Sequence, residues 1–262
     1  MPNTHAFVPS VRILPWNDRG RDFVIGDLHG CFSDLQMAMR RVRFDVNVDR
    51  LLSVGDLTDR GPDSWGALSL LEEPWFFAVK GNHEDLLIDH IKGRAGSKYA
   101  SSDFFANGGG WWYRNVPAGF DKARLLAMLE RLPHVLVVFD EASGRRFHVV
   151  HGELVAFHRG NVVLLDNDDI DYWSEGREGS VPVRDFDLIW ERTIFSGSGA
   201  RFAPTNTRLS PTFCGHTIVK AITCRSSHIN LDTGAFKPWV YRDDPTCGSL
   251  SMVEAATFVP AL

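Results

Sequence analysis

A mixed α/β fold, with a parallel sheet in its first third and a mainly antiparallel second half, is predicted for this chain by three patterns. Strand-like and helix-like segments alternate from residue 22 to residue 91, short β-rich segments crowd the second half, and each early strand ends in a motif rich in Gly, Asp, His or Asn. A βαβαβ alternation implies right-handed crossovers and a parallel sheet. In such sheets the ligand-binding groups collect beyond the carboxyl ends of the strands.

The elements follow in order. "DFVI" (22–25) is a short buried strand running into "GDLHG", and "SDLQMAMRRVRF" is an amphipathic helix with Ser33 expected at its N-cap. "RLLSV" (50–54) leads into "GDLTDRGPD", with a short helix expected from Ser64 to Leu71. "WFFAV" (75–79) leads into "KGNHE", and "DLLIDHI" reads as helical. "NGGGWW" (107–112) is a glycine-rich turn before two large aromatics, and "DKARLLAMLERL" is an amphipathic helix ending at Pro133. "HVLVVFD" and "RRFHVVHGE" form a hairpin through the turn "EASG". Residues 158–187 are acidic and weakly patterned, as expected of a surface excursion. "TFCGHTI", "AITCRSSHINLDTGAF", "WVYR" and "SLSMVEAATFV" read as short strands.

With 262 residues, 44% hydrophobic and 23% charged, the chain fits one globular domain over 1–262, its motif core lying at about 22–236. A net charge of −5 supplies no basic field for nucleic acid or an anionic membrane. Cys31, Cys214, Cys224 and Cys247 form no C-x-x-C pair, so neither a zinc knuckle nor a disulfide framework is indicated. The first twenty residues carry Pro2, Pro9 and Pro15 without a long apolar region, and no apolar run approaches the roughly 20 residues of a membrane span. A cytoplasmic protein is expected.

The strand-end motifs carry the chemistry. Asp27, His29 and Asp56 offer two carboxylates and an imidazole for one divalent metal ion. Asn82, His151 and His216 offer an amide oxygen and two imidazoles, and a shared Asp56 completes a second site. Mixed oxygen and nitrogen donors suit Mn, Fe or Zn better than Ca or Mg. Two such ions roughly 3.5–4 Å apart suit phosphate ester cleavage, because together they hold substrate oxygens and activate a bridging water. Arg60 and Arg192 can bind phosphate oxygens through their planar forks, and Asp59 can orient His83. For each of these residues taken singly, a turn cap, a core histidine or a surface charge is the competing reading; the ordered set decides for chemistry.

That ordered set, "GDLHG", "GDLTDRG", "GNHE", "HGE" and "GHT", resembles the calcineurin-like metallophosphoesterases, and within them the phosphoprotein phosphatase family of Ser/Thr phosphatases. Its compact bacterial and phage members are especially similar, and a phage enzyme among them also has the "NGGGW" turn. The likeness runs from about Phe23 to Ala235. It implies two β-sheets packed as a sandwich and flanked by helices, in the order α/β/β/α. Asp27, His29 and Asp56 would hold the first metal, and Asp56, Asn82, His151 and His216 the second. Arg60 and Arg192 would contact the phosphate, His83 would protonate the leaving oxygen and Asp59 would pair with it. Mn²⁺ is the usual activating ion of the bacterial members, with Fe, Zn or Ni as alternatives.

The expected activity is hydrolysis of phosphoserine or phosphothreonine in phosphoproteins by a metal-bridging hydroxide, with small aryl phosphates also cleaved. Two departures from the family pattern stand out. Lys80 occupies a position where many members have arginine, so its contact with phosphate is a point charge without a fork. Glu153 follows "HG" where a small residue or another acid is common, and is expected near the site mouth. Two rivals remain: a diadenosine tetraphosphate hydrolase, which shares the ligand motifs, and a silent phosphopeptide-binding module, which would be expected to have lost a ligand.

Overall fold

The computed structural model describes residues 7–93, 101–158, 161–196, 207–241 and 248–259. His5 and Cys247 lie outside them. Two sheets face each other. The smaller has the order β12 (Met252–Glu254), β2 (Asp22–Ile25), β3 (Arg50–Ser53) and β4 (Phe76–Ala78); β2, β3 and β4 are parallel and β12 joins antiparallel at the edge. The larger runs β1 (Val11–Pro15), β5 (Val135–Phe139), β6 (Arg146–Val149), β9 (Thr212–Cys214), β11 (His228–Asn230) and β10 (Thr223–Arg225). A separate hairpin pairs β7 (Val155–His158) with β8 (Asn161–Leu164).

Period-two alternation decides what faces what. In β2, Val24 points inward with Leu52, Val54, Leu136, Val138, Phe147 and Phe213, forming the layer between the sheets. Its neighbours Phe23 and Ile25 point outward, against Leu35 of α1 (Phe32–Arg41) and Ala67 of α2 (Ser64–Ser69). Both faces are thus covered, which is why "DFVI" reads as an unbroken buried strand. Three further helices, α3 (Asn82–Lys92), α4 (Ser101–Ala106) and α5 (Lys122–Glu130), pack together through Leu86, Phe104 and Leu129. On the far side, Val135 and Val137 of β5 meet Ile170 and Trp173 of α6 (Asn167–Ser174) and Leu188 of α7 (Asp185–Trp190). The layering is the expected α/β/β/α sandwich, completed by the short α8 (Lys237–Val240).

Several expectations need correction. Helix α1 is capped at Cys31, so Ser33 lies inside its first turn; the loop before it turns sharply at Gly30 (φ 66°), and the helix begins earlier than side-chain chemistry suggests. "WVYR" is no strand. Pro238 stands in the first turn of α8, where its fixed φ suits a helix start, and Trp239 and Val240 continue the turn. The larger sheet is mixed: β1–β5, β6–β9 and β9–β11 are parallel and only β5–β6 and β10–β11 antiparallel. The long connection from β6 to β9, which contains the β7–β8 hairpin, α6 and α7, gives the chain room for a parallel crossover.

That connection is also no surface excursion, because Leu165, Ile170, Trp173 and Val183 are buried against the larger sheet. Its acidic residues cap helices: Asp166 accepts from the backbone N–H groups of Asp168 and Asp169 at the start of α6. Trp173→Ala should therefore lower unfolding free energy by about 3–5 kcal/mol in a denaturant titration. A segment lying on the surface would tolerate the change within about 0.5 kcal/mol.

Candidate active site

Five strand ends deliver the polar residues to one edge of the sandwich. β2 leads to Asp27 and His29, β3 to Asp56 and β4 to Asn82 and His83 at the start of α3, while β6 and β9 lead to His151 and His216. Because β6 and β9 are parallel neighbours, their ends emerge side by side, and pairing continues past them through Gly215 N–H to the His151 carbonyl at 2.9 Å. The first two loops are laced together as well: the Leu28 and His29 amides both donate to the Asp56 carbonyl, at 3.1 and 2.8 Å.

Close approach explains two of the motif glycines. A Cβ on Gly81 would fall 2.3 Å from Asp56 Oδ1, and one on Gly215 would fall 1.9 Å from Asp27 Oδ1. Only a bare backbone leaves room for these carboxylates. The loops also hold His29, Asp56, Asp59, Arg60 and His216 at positive φ, 43°, 50°, 74°, 68° and 65° respectively. Non-glycine residues in this region cost of order 1–3 kcal/mol each and persist only where their surroundings enforce them.

The donor set is organised for cations. His29 Nδ1 donates to the Thr58 carbonyl at 2.8 Å and His151 Nδ1 to the Val54 carbonyl at 2.7 Å, which leaves each Nε2 with a lone pair. His151 Nε2 then faces Asn82 Oδ1 at 2.9 Å, His216 Nδ1 at 3.2 Å and Asp56 Oδ1 at 3.3 Å. Four acceptors converge there, and such an arrangement repels itself unless a positive ion lies among them. Across Asp56, Nε2 atoms of His29 and His83 lie 3.6 and 3.8 Å from Asp56 Oδ2. Within each trio, His29–Asp56–His83 and Asp56–His151–His216, the donor atoms are all within 4.8 Å of one another. Asp27 joins the edge through both carboxylate oxygens, each 3.1 Å from the His216 amide. The buried Nε2 atoms of His83 and His216 have no hydrogen-bond partner. Oxygen and imidazole donors in this number fit divalent metal ions of the Mn, Fe and Zn type.

Electrostatics follow from burial. It holds His29, His151 and His216 below the usual imidazole range, so they are neutral and offer lone pairs. Burial pushes Asp27 well up, and the nearby charges of Asp232 and Asp56 push in the same direction. Burial also opposes ionisation of Asp56, but the histidine charge beside it outweighs burial and holds the carboxylate low; His83, whose pKa is raised, is the neighbour that carries that charge. His83 differs from the other histidines. Burial works against its protonation, yet Asp56 and Asp59 override it and raise its pKa.

His83 Nδ1 is 2.5 Å from Asp59 Oδ2, and the Trp111 indole donates to the other oxygen, Oδ1, at 2.5 Å. Asp59 is fully buried, and its own amide donates to Ser64 Oγ at 2.9 Å. Trp111 thus extends the His83–Asp59 pair, a link that sequence spacing could not reveal because 52 residues separate it from Asp59. The rest of "NGGGWW" is a 3₁₀ turn, Gly109–Tyr113, not an open loop. A Cβ on Gly108 would meet the Arg60 amide nitrogen at 2.7 Å, so this turn lies directly on the site.

A cleft of 600 Å³ opens over the edge, lined among others by Arg60, Asn107, Trp111, Arg192, His216 and Tyr241. Arg60 Nη1 donates to His29 Nε2 at 2.8 Å while its guanidinium covers the Phe236 ring at 4.7 Å. Arg192 donates to the His216 carbonyl. Lys80 Nζ lies 3.9 Å from Asp85 Oδ1 and is not among the residues lining the cleft. Glu153, expected near the site mouth, is instead buried and does not line the cleft; it accepts from the Ile194 and Phe195 amides at 2.5 and 3.0 Å and so anchors the chain just after Arg192. Glu84 does more than open α3: its carboxylate accepts from the amides of Asp56, Leu57 and Gly81 at 2.8, 2.8 and 2.9 Å, tying two motif loops together. Asp232 is a further buried carboxylate that sequence reasoning passed over; burial pushes its pKa up to about 6.

Residues 23–227 match the family described as calcineurin-like phosphoesterase. The chain belongs to that family. Among curated relatives, serine/threonine-protein phosphatase 2 of Salmonella typhimurium is 31% identical over 218 residues, covering 82% of this chain and 87% of that protein. Serine/threonine-protein phosphatase 1 of the same organism is 48% identical over 117 residues, 44% of this chain, and the match spans about half (52%) of that relative's length. The crystal structure of a putative diadenosine tetraphosphatase shares the fold, with a TM-score of 0.57 at 20% identity over 97% of both chains.

Two variants test the pair around His83. Its raised pKa means that it stays protonated above the ordinary imidazole range, and removing a negative partner reverses the shift. Asp59→Asn should therefore move the His83 titration, followed by NMR, to lower pH. Trp111→Phe removes one hydrogen bond to a charged acceptor, worth about 1.5 kcal/mol or more, and should lower kcat about tenfold, most for substrates with poor leaving groups. Equal loss for good and poor leaving groups would detach Trp111 from proton transfer.

Proposed function

We propose that this calcineurin-like phosphoesterase is a metal-dependent serine/threonine protein phosphatase acting on phosphomonoesters in phosphoproteins and, in vitro, on small aryl phosphates. The carrying observation is the convergence of buried lone pairs on either side of Asp56, in a cleft that two arginines also line. The near full-length similarity to a serine/threonine-protein phosphatase supports the choice of substrate class.

In this reading Asp27, His29 and Asp56 hold one divalent ion, and Asp56, Asn82, His151 and His216 a second, with Mn²⁺ the preferred species. When bound, the ions supply Lewis acidity and an activated water for attack on phosphorus. The remaining work belongs to the chain. Arg60 and Arg192 enter the cleft as planar cations able to take phosphate oxygens in pairs, fixing the ester in line for attack. Lys80, which faces Asp85 and does not line the cleft, is assigned no phosphate contact. His83 hands its Nε2 proton to the departing serine or threonine oxygen, which is too basic to leave as an alkoxide. Asp59 accepts from Nδ1, fixes the ring and sustains its protonated form, and Trp111 fixes Asp59. Among the described residues no helix is long and apolar enough to cross a membrane, and Cys31, Cys214 and Cys224 are free thiols; a cytoplasmic location is part of the proposal.

Chelation should abolish hydrolysis of a phosphoserine peptide, and Mn²⁺ should restore it. His83→Asn should lower turnover by about 10²–10⁴-fold while the variant still binds two Mn²⁺ ions by calorimetry. Faster turnover of diadenosine tetraphosphate than of phosphopeptides would contradict the substrate class, and loss of a metal ion from His83→Asn would contradict the role of His83.

A further inference from the structure

A second, larger concavity of 940 Å³ adjoins the catalytic cleft. Ile218 lines both, so the two are continuous across one side chain. The segment from Ile218 to Ile222 follows the His216 loop and forms one wall. It is held in place by the Val219 amide donating to the Asp232 carbonyl at 2.8 Å. Thr233, Ser249 and Ser251 form part of the opposite wall, where the Thr233 hydroxyl is engaged by the Ser249 carbonyl and the Ser251 hydroxyl at 2.5 and 2.6 Å. Ile218 and Ile222 remain 38% and 39% exposed.

Among the described residues, the charged side chains lining this groove are Lys220 and Lys237. Lys237 lays its stem along Gly234, and among the described residues neither lysine has an acidic partner. Two lysines with no acidic partner among the described residues make this partly apolar groove complementary to a negative ligand. Because Ile218 lines both concavities, the groove is within reach of the segment beside a phosphorylated residue held by Arg60 and Arg192.

Building on the phosphatase reading, we propose that this groove is a substrate subsite for the segment flanking the phosphorylated residue, selecting an acidic side chain through Lys220 and Lys237 and an apolar one through Ile218 and Ile222. The lysines act by charge and the isoleucines by contact area. Each exposed ion pair is worth a factor of about 1.5–5, so two lysines confer a preference of about two- to thirtyfold, weakening as salt is added.

The test compares phosphoserine peptides that carry either Glu or Lys within roughly four residues on each side, ~13 Å of extended chain. The wild-type enzyme with Mn²⁺ should favour the acidic peptide by about two- to thirtyfold in kcat/KM at low ionic strength. The Lys220→Glu/Lys237→Glu double variant should reverse that order and leave aryl phosphate turnover unchanged, since neither lysine lines the cleft. Equal rates for the two peptides, or the same preference in the double variant, would overturn the proposal. So would a double variant impaired only toward diadenosine tetraphosphate. If neither peptide is hydrolysed, the phosphatase reading fails separately. Fluorescence anisotropy of the labelled peptides still reads the groove, where equal binding by wild type and double variant would overturn it.

Discussion

Buried lone pairs that face one another are the constraint on which this molecule depends. Asp56 lies at the centre, with His29 on one side and Asn82, His151 and His216 on the other. Burying acceptors without a donor or cation is costly. Backbone carbonyls intensify the problem: by taking the Nδ1 protons of His29 and His151, Thr58 and Val54 direct bare Nε2 atoms inward. The protein relieves part of this strain with its own cations, since Arg60 donates to His29 Nε2 and Arg192 lies against His216. Divalent ions would relieve the rest, and the same arginines would then be available to phosphate.

Much of the fold can be understood as support for that edge. Five strands end there, two of them brought side by side by the parallel pairing of β6 and β9. Gly81 and Gly215 let carboxylates approach the backbone, Glu84 binds three amides across two loops, and five site residues are held at positive φ. The sandwich core supplies the rigidity that keeps such strained positions in place.

The site was more legible in the sequence than the scaffold around it. Asp27, His29, Asp56, Asn82, His151 and His216 could be picked out because short-range motifs follow strand signals, and each lies at the edge where a parallel sheet gathers its ligands. Trp111, Glu84 and Asp232 were not legible as site residues. Their roles come from contacts across long sequence separations, and a tryptophan after three glycines carries no local signal that its indole will meet Asp59. The mixed character of the larger sheet was equally hidden: β9 and β11 are three-residue strands whose direction is fixed by partners and crossovers, not by their own composition. The acidic connection before α7 has the composition of a surface segment because its capping aspartates mask the buried Ile170 and Trp173.

His83 is the point at which the account can fail most clearly, because its Nε2 is close enough to Asp56 and His29 to serve as a metal donor, while its partner Asp59 suits an acid equally well. Anomalous diffraction from crystals grown with Mn²⁺ decides between the two. Two peaks that share Asp56 are expected, one on Asp27 and His29 and the other on Asn82, His151 and His216, with His83 Nε2 bound to neither. A single peak, or manganese coordinated by His83 Nε2, would contradict this assignment.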